Sequence, residues 1–344
     1  MASRPNIGDD LDTYLNANAP HDVAPVLAAI AEASMALVHL IRRGRHAGAL
    51  DAATGAAHDS FGHKALDVFA DQAFVDGLKG AGVRGVVSEE RSDPVAIDAE
   101  GTLLVAIDPL DGSSNIEANI SVGTFFSVLD APAGELEAAH FLQPGVNQRA
   151  AGFVIYGPHV AFVFTTGDGV RIATLDPDSN RYRISSVGTQ ISRETTEFAI
   201  NASNSRHWSE PVRAYVEDCV EGEEGPRGRN FNMRWVASTV ADVYRILARG
   251  GVCLYPEDSR KGYEHGQLRL LYEANPVAFL VEQAGGAAID GFHRILEVKP
   301  TSIHARTPLI FGSKDKVERI GLYYSEGDAG QRAPLFGKRG LLRR

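Results

Sequence analysis

Residues 102–115 read Thr-Leu-Leu-Val-Ala-Ile-Asp-Pro-Leu-Asp-Gly-Ser-Ser-Asn, an apolar run that closes on two carboxylates and a string of small hydrogen-bonding residues. Val, Ile and Leu at this density, bounded by Gly and Pro, predict a buried strand. Asp108 is then expected where the strand ends, at the sheet edge where ligands bind in α/β proteins. Pro109 turns the chain, and Asp111, three residues on, can point back into the same volume. Two hard oxygen ligands with the Leu110 carbonyl between them suit Mg²⁺ or Mn²⁺ rather than a thiolate-seeking metal. Gly112, Ser113, Ser114 and Asn115 offer N–H groups and hydroxyls to phosphate oxygens if a helix begins there. Asp-Pro and Asp-Gly are also ordinary turn chemistry, so the metal reading needs support from elsewhere in the chain.

Three further features supply it. The run VRGVVSEE at 83–90 is a second strand-like segment ending in adjacent Glu89 and Glu90, like charges that are costly side by side without a cation. Asp67 and Asp71 stand four apart on one face of the predicted helix KALDVFADQAFVDGLK (64–79), where they repel unless something compensates. Glu273 closes the apolar run LRLLYE just before a helix.

Outward from this centre, helical and strand patterns alternate with short Gly-containing turns. Asp22 is expected to cap a helix through residues 28–43 that stops at Gly44, with a loop at 48–55. Segments 121–129, 152–157, 160–167 and 169–175 read as an antiparallel meander. Helices are expected at 207–220, 238–251 and 275–286, with a strand at 250–256, and PLIFGS (308–313) followed by a helix closes the chain. The fold class is α/β (α+β). The expected division is an N-terminal metal- and phosphate-binding domain, 1–190, and a C-terminal sugar-binding domain, 191–344.

Composition narrows the partners. With 34 Lys+Arg against 44 Asp+Glu in 344 residues, the net charge is −10, which argues against general nucleic-acid binding. Phosphate chemistry on so acidic a protein needs cations or a locally basic pocket. Two cysteines, Cys219 and Cys253, make no disulfide framework. No signal-like N-terminus and no apolar run near the ~20 residues of a bilayer span are visible, which predicts a soluble, cytoplasmic protein without membrane partners.

Taken together, KALDVFADQ, VVSEE, AIDPLDGSSNIEANISVGTFFSV, ASTVADVYRILARGGVCLYP, LRLLYEANPVAFLVEQAGG and PTSIHARTPLIFGS resemble the class I fructose-1,6-bisphosphatase family, within the metal-dependent, lithium-sensitive sugar phosphatases. The resemblance implies a layered αβαβα sandwich and hydrolysis of the 1-phosphate of fructose 1,6-bisphosphate, in gluconeogenesis or the Calvin cycle, with two to three Mg²⁺ or Mn²⁺ per subunit. It implies that Glu89, Asp108, the Leu110 carbonyl, Asp111 and Glu273 hold the metals. Glu90 and Asp67 match the acidic pair that orients and deprotonates water, and Asp111, Gly112, Ser113 and Ser114 lie around the 1-phosphate. A homotetramer is implied, with Arg234 matching an arginine that crosses to a neighbouring subunit.

At the distal phosphate, Asn201 and Tyr255 match the family, while Asn204 and Trp235 stand where tyrosines are expected and Gln267 replaces a lysine. Losing that lysine removes a full positive charge. Arg206, His207, Lys261 and Arg269 are candidates to compensate. These departures open a second reading, dual activity on fructose 1,6- and sedoheptulose 1,7-bisphosphate. An inositol monophosphatase-like enzyme and a non-catalytic phosphometabolite sensor are the rivals. The stretches matching the family's AMP site read PHDVA, Thr102-Leu103 and Asp130, without its cationic donors, which predicts weak or absent AMP inhibition. The cysteine-rich insertion of thiol-regulated relatives is missing, so redox control is not expected.

Overall fold

A computed structural model describes residues 7–43 and 61–331; the expected helix stop at Gly44 and the loop at 48–55 lie outside them. Among the described residues three helices come first, α1 (Leu11–Asn18), α2 (Ala24–Arg43) and α3 (Phe61–Gly77). Eight strands follow: β1 (Val83–Ser88), β2 (Val95–Ala96), β3 (Leu103–Asp111), β4 (Val122–Asp130), β5 (Ala150–Tyr156), β6 (Val160–Thr165), β7 (Val170–Asp176) and β8 (Arg181–Thr189). They form one sheet in the order β2-β1-β3-β4-β5-β6-β7-β8. Its only parallel pair is β1 with β3, and the expected meander runs antiparallel through β4 to β7.

The rest of the chain supplies β9 (Glu197–Ala199), α4 (Glu210–Val220), β10 (Asn232–Met233), α5 (Thr239–Arg249), β11 (Val252–Tyr255), β12 (Leu268–Arg269), α6 (Asn275–Gln283), β13 (Ala287–Ile289), β14 (Arg306–Thr307), β15 (Leu309–Gly312) and α7 (Lys314–Gln331). A second, five-stranded sheet has the order β10-β9-β11-β15-β13, and β12 pairs with β14.

Side-chain alternation sorts these elements into layers, because successive strand residues face opposite sides. On β4, Val122, Phe126 and Val128 join the core under α1, α2 and α3, whereas Phe125 faces the core built with α5 and α6. On β11, Cys253 and Tyr255 face that same middle layer, and Val252 and Leu254 face α4 and α7. The result is the expected αβαβα sandwich. The central strands β3, β5, β6, β11 and β15 are covered on both faces and read as continuous apolar runs, whereas β8 alternates buried and exposed residues. Phe125, Phe126, Phe153 and Phe162 are fully buried, each stabilising the fold by about 2–3 kcal/mol through apolar burial. The middle core takes side chains from both halves of the chain, so the two sheets share their packing.

Two expectations change. Asp22 precedes α2, and its carboxylate accepts from Arg149 Nη2 at 3.0 and 3.1 Å. Arg149 also binds Asp130 on β4, so Asp22 ties the helix entry to the sheet. Second, α2 is long and apolar enough to cross a bilayer, with 20 residues and a mean hydropathy of 1.8, although no such run was expected. Half of that stretch is buried, with Val26, Leu27, Ile30 and Leu37 inside the first core. The helix is apolar because it packs between its neighbours and the sheet.

Candidate active site

The acidic centre is made by an irregularity in β3. Strand β3 does not end at Asp108; it continues through Asp111, with Asp108 opposite Phe125 and Asp111 opposite Gly123. Three steps on β3 therefore match two on β4, a bulge at Pro109 and Leu110. In a regular strand, residues three apart face opposite sides; the extra residue brings Asp108 and Asp111 to the same one. Proline is tolerated here because a bulge releases its missing N–H from the ladder. Thr124 Oγ1 donates to the Pro109 carbonyl at 2.8 Å and Leu110 N–H donates to Asp108 Oδ1 at 3.1 Å, which pin the bulge.

The parallel pairing of β1 with β3 sets Ser88 beside Ile107, and Glu89 N–H donates to the Ile107 carbonyl at 3.1 Å. Glu89 thus arrives next to Asp108. Glu273 comes from the opposite side of the chain, in a widened π-type turn over Leu270–Ala274 that leads into α6. Such single-turn widenings recur at functional sites. Glu89, Asp108 and Glu273 each present an oxygen within 4.8 Å of the others, with Asp111 alongside this tight triple.

Burial drives the electrostatics. It pushes the Asp108 carboxyl well above the usual range, and the charges of Glu89, Asp111 and Glu273 push it further. Asp111 is pushed up to about 7 by burial and by Glu89, against the opposing pull of the Val240 N–H and the Thr239 hydroxyl at the N-terminus of α5. Glu273 rises for the same reasons, although Arg269 N–H donates to its Oε2 at 2.6 Å. Helix α5 comes this close to the sheet because Gly123 has no side chain: a Cβ there would lie 2.4 Å from Val240 Cγ1. Ser238 caps α5, accepting from Ala241 N–H, and its hydroxyl donates to the Ser121 carbonyl at 2.7 Å.

The residues present fit a divalent cation. Their donors are hard carboxylate oxygens, mostly removed from water, and Asp111 Oδ2 is buried with no hydrogen-bond partner among the described residues. Four converging carboxylates in a dry site are stable as anions only with added positive charge.

Around this centre, Ser113 Oγ donates to Asp67 Oδ2 at 3.4 Å, which brings the 113–115 turn against α3. The turn is a single 3₁₀ turn entered through Gly112 at φ +76°, a left-handed conformation that favours glycine, rather than the start of a longer helix. The Asp67 and Asp71 repulsion is compensated on one side, since Arg91 Nε binds Asp71 Oδ2 at 2.6 Å. Glu90 is exposed beside Glu89. Arg269, expected as a candidate to compensate at the distal phosphate, instead lies at the acidic centre, with Nε 3.2 Å from Glu89 Oε1 and Nη1 donating to the His304 carbonyl at 3.2 Å.

A second pocket is lined by Asn201, Asn204, Trp208, Trp235, Tyr255, Asp258 and Gln267, among others. Both the family-like positions and all three departures meet here. Trp235 packs on Tyr255 with ring centroids 5.2 Å apart. Arg234 is not among the lining residues; it lies half-exposed against Glu197. Arg206 leans on His207, Nε to Nε2 at 3.0 Å, and Lys261 is exposed. Trp208 and Asp258 were not anticipated: the first reads as a helix-entry aromatic, and the second as a turn residue in PEDS. Nor was the α5 N-terminus, whose Ser-Thr start gave a capping signal but no hint of its proximity to Asp111.

Fold and site together define an α/β protein with an oxygen-donor cation centre beside a hydroxyl-rich turn and a separate polar pocket. The models for the N-terminal and C-terminal domains of fructose-1,6-bisphosphatase match residues 11–186 and 191–325. A fructose-1,6-bisphosphatase class 1 of Paracoccus denitrificans (strain Pd 1222) is 52% identical over 324 residues, 94% of this chain and 96% of that one. One from Methylorubrum extorquens (strain PA1) is 50% identical over 345 residues, 98% of each. The crystal structure of Leishmania major fructose-1,6-bisphosphatase in holo form superposes with a TM-score of 0.83 at 30% identity, covering 94% of this chain and all of that one. The chain belongs to the class 1 fructose-1,6-bisphosphatase family, whose members are metal-dependent.

Proposed function

We infer that this chain hydrolyses the 1-phosphate of fructose 1,6-bisphosphate, giving fructose 6-phosphate and phosphate, in the cytoplasm and in gluconeogenesis or the Calvin cycle. The observation that carries this reading is the convergence of Glu89, Asp108 and Glu273 within 4.8 Å, in a chain about half identical to class 1 enzymes over nearly its whole length. Glu89, Asp108, the Leu110 carbonyl, Asp111 and Glu273 are the ligands for two to three Mg²⁺ or Mn²⁺ per subunit. Bound there, such cations neutralise phosphate oxygens and acidify the attacking water. Asp67 and Glu90 orient that water and take its proton. Gly112, Ser113 and Ser114 hold the 1-phosphate by N–H and hydroxyl donors, and Arg269 faces it from the far side of Glu89. Asn201 and Tyr255 bind the distal end, and Arg234 reaches the equivalent pocket of a neighbouring subunit in a homotetramer. A phosphate-release assay with Mg²⁺ tests this: turnover of fructose 1,6-bisphosphate well above that of inositol monophosphate supports it, and no release refutes it.

One observation favours a broader substrate range. The distal pocket carries three amides, two indoles and the Asp258 carboxylate, a lining better suited to sugar hydroxyls than to a dianion. Asp258 is itself gripped by Arg260. A ketose one carbon longer places a hydroxyl there and its phosphate further out, near Arg206 and Lys261. Comparable kcat/KM on sedoheptulose 1,7-bisphosphate is expected, and a hexose preference above about a hundredfold, ~2.7 kcal/mol, excludes it.

The bridge from Asp22 through Arg149 to Asp130 supports weak nucleotide control. Two carboxylates and a satisfied arginine offer an anionic nucleotide no free cation. AMP is expected to leave activity unchanged at millimolar concentration; inhibition in the micromolar range contradicts this.

A further inference from the structure

Arg234 stands at the edge of the five-stranded sheet with its backbone N–H bonded to the Phe198 carbonyl at 2.7 Å, so the base of its side chain is fixed. The side chain itself is half-exposed, and its Nε lies 3.7 Å from Glu197 Oε1. Among the described residues, neither of its terminal nitrogens donates an intrachain hydrogen bond. A guanidinium with both terminal nitrogens unbonded can grip a phosphate bidentately.

Glu197 is not free to move with it. Its other oxygen, Oε2, accepts from Arg245 Nη1 at 2.9 Å, and both partners are more than four-fifths buried. Arg245 Nη2 lies 3.6 Å from Asp242 Oδ1, a carboxylate with no exposed surface. Arg245 thus stands between two carboxylates and, among the described residues, hydrogen-bonds only Glu197, whose second oxygen faces Arg234. The order of the four groups, Asp242, Arg245, Glu197, Arg234, runs from the middle core to the surface.

We propose that Glu197, clamped by Arg245, is a positioning residue for Arg234: it holds Nε at the sheet edge and leaves the terminal nitrogens directed to the phosphate of a sugar bisphosphate bound by a second copy of this chain. The proposal rests on the reading of Arg234 as a ligand supplied to a neighbouring subunit. Glu197 touches neither substrate nor metal in this arrangement, so its effect belongs to KM.

The test is steady-state kinetics of the full chain on fructose 1,6-bisphosphate with saturating Mg²⁺. Arg234→Ala is expected to raise KM more than about tenfold, the loss of a charge-assisted phosphate contact. Glu197→Gln keeps the shape and a hydrogen-bond acceptor for Arg245 but removes the charge; KM is expected to rise about three- to fivefold, the scale of a partly exposed ion pair, with kcat changed less than twofold. In the Arg234→Ala background the same substitution is expected to add nothing, a dependence that a merely structural role would not show. Glu197→Asp, which withdraws the charge by one methylene, is expected to fall between wild type and Glu197→Gln. KM raised by Arg234→Ala but not by Glu197→Gln, or an effect of Glu197→Gln that persists without Arg234, overturns the proposal alone. An unchanged KM in Arg234→Ala overturns the reading of Arg234, and this proposal with it, while leaving hydrolysis intact.

Discussion

Asp108→Ala is expected to lower phosphate release from fructose 1,6-bisphosphate at neutral pH by about a thousandfold or more, close to the background of the assay. Asp108 faces Glu89, Asp111 and Glu273 together, so its removal disrupts the whole acidic cluster rather than one contact. Charge neutralisation of a transferring phosphoryl group accounts for several kcal/mol of barrier, and each 1.36 kcal/mol is tenfold in rate. The loss is not one of folding. Asp108 is 3% exposed and surrounded by like charges; Asp108→Asn removes its charge yet keeps an oxygen to accept from Leu110 N–H, so this metal-free variant is expected to be at least as stable as the parent. Two readouts separate the causes: the thermal stabilisation that Mg²⁺ gives the wild type should vanish in Asp108→Ala and Asp108→Asn, while the metal-free melting temperature of Asp108→Asn, which keeps the acceptor for Leu110 N–H, does not fall. Wild-type turnover in either variant would remove catalysis from this site and restore the reading of the acidic cluster as a non-catalytic sensor.

The second large effect is on stability. In the metal-free protein Asp111 is raised to about 7, and Asp108 and Glu273 shift in the same direction. A carboxyl whose pKa is higher folded than unfolded holds its proton more tightly in the native state. Its stabilising contribution is complete below about pH 4, the unfolded value, and is lost as pH rises through the folded one. From Asp111 alone, the rise to about 7 corresponds to ~4 kcal/mol between pH 4 and pH 7. Melting of metal-free protein is therefore expected to drop by roughly 6 °C across that window, and saturating Mg²⁺ to restore most of it above pH 7, because cations bind the deprotonated ligands. Surface carboxylates with lowered values, such as Glu194 beside Lys316, act with the opposite sign, but their contribution is lost below about pH 4, outside the window. A metal-free melting temperature that rises from pH 5 to pH 7, or a Mg²⁺ effect independent of pH, contradicts the account. Asp111→Asn should flatten the slope.

The acidic cluster illustrates how far linear reading reaches. Asp108 and Asp111 could be named as candidate ligands from the apolar run that leads into them, yet the reason they converge, a bulge at Pro109 and Leu110, is a property of pairing with β4 and has no local signature. Glu89 was legible as a strand end; its place beside Asp108 follows from the parallel register of β1 on β3. Asp71 read as one of a repelling pair, and its compensation by Arg91 is a contact between residues 20 apart. At the distal end, Asn204, Trp235 and Gln267 could be named as departures, but Trp208 and Asp258 joined them only once the chain was folded.

By itself the sequence determined the kinds of groups available: hard oxygen donors, a glycine- and serine-rich turn, apolar runs of strand and helix period, and a negative net charge that a phosphate ligand meets only through cations. Those are consequences of side-chain chemistry and local periodicity, which need no distant partner. Tertiary structure decided which groups share a volume and with what pKa values, because both depend on burial and on neighbours remote in the chain. Arg234 is the plainest case: the sequence offers a cationic side chain there, and the sheet edge, Glu197 and buried Arg245 decide where that charge is held.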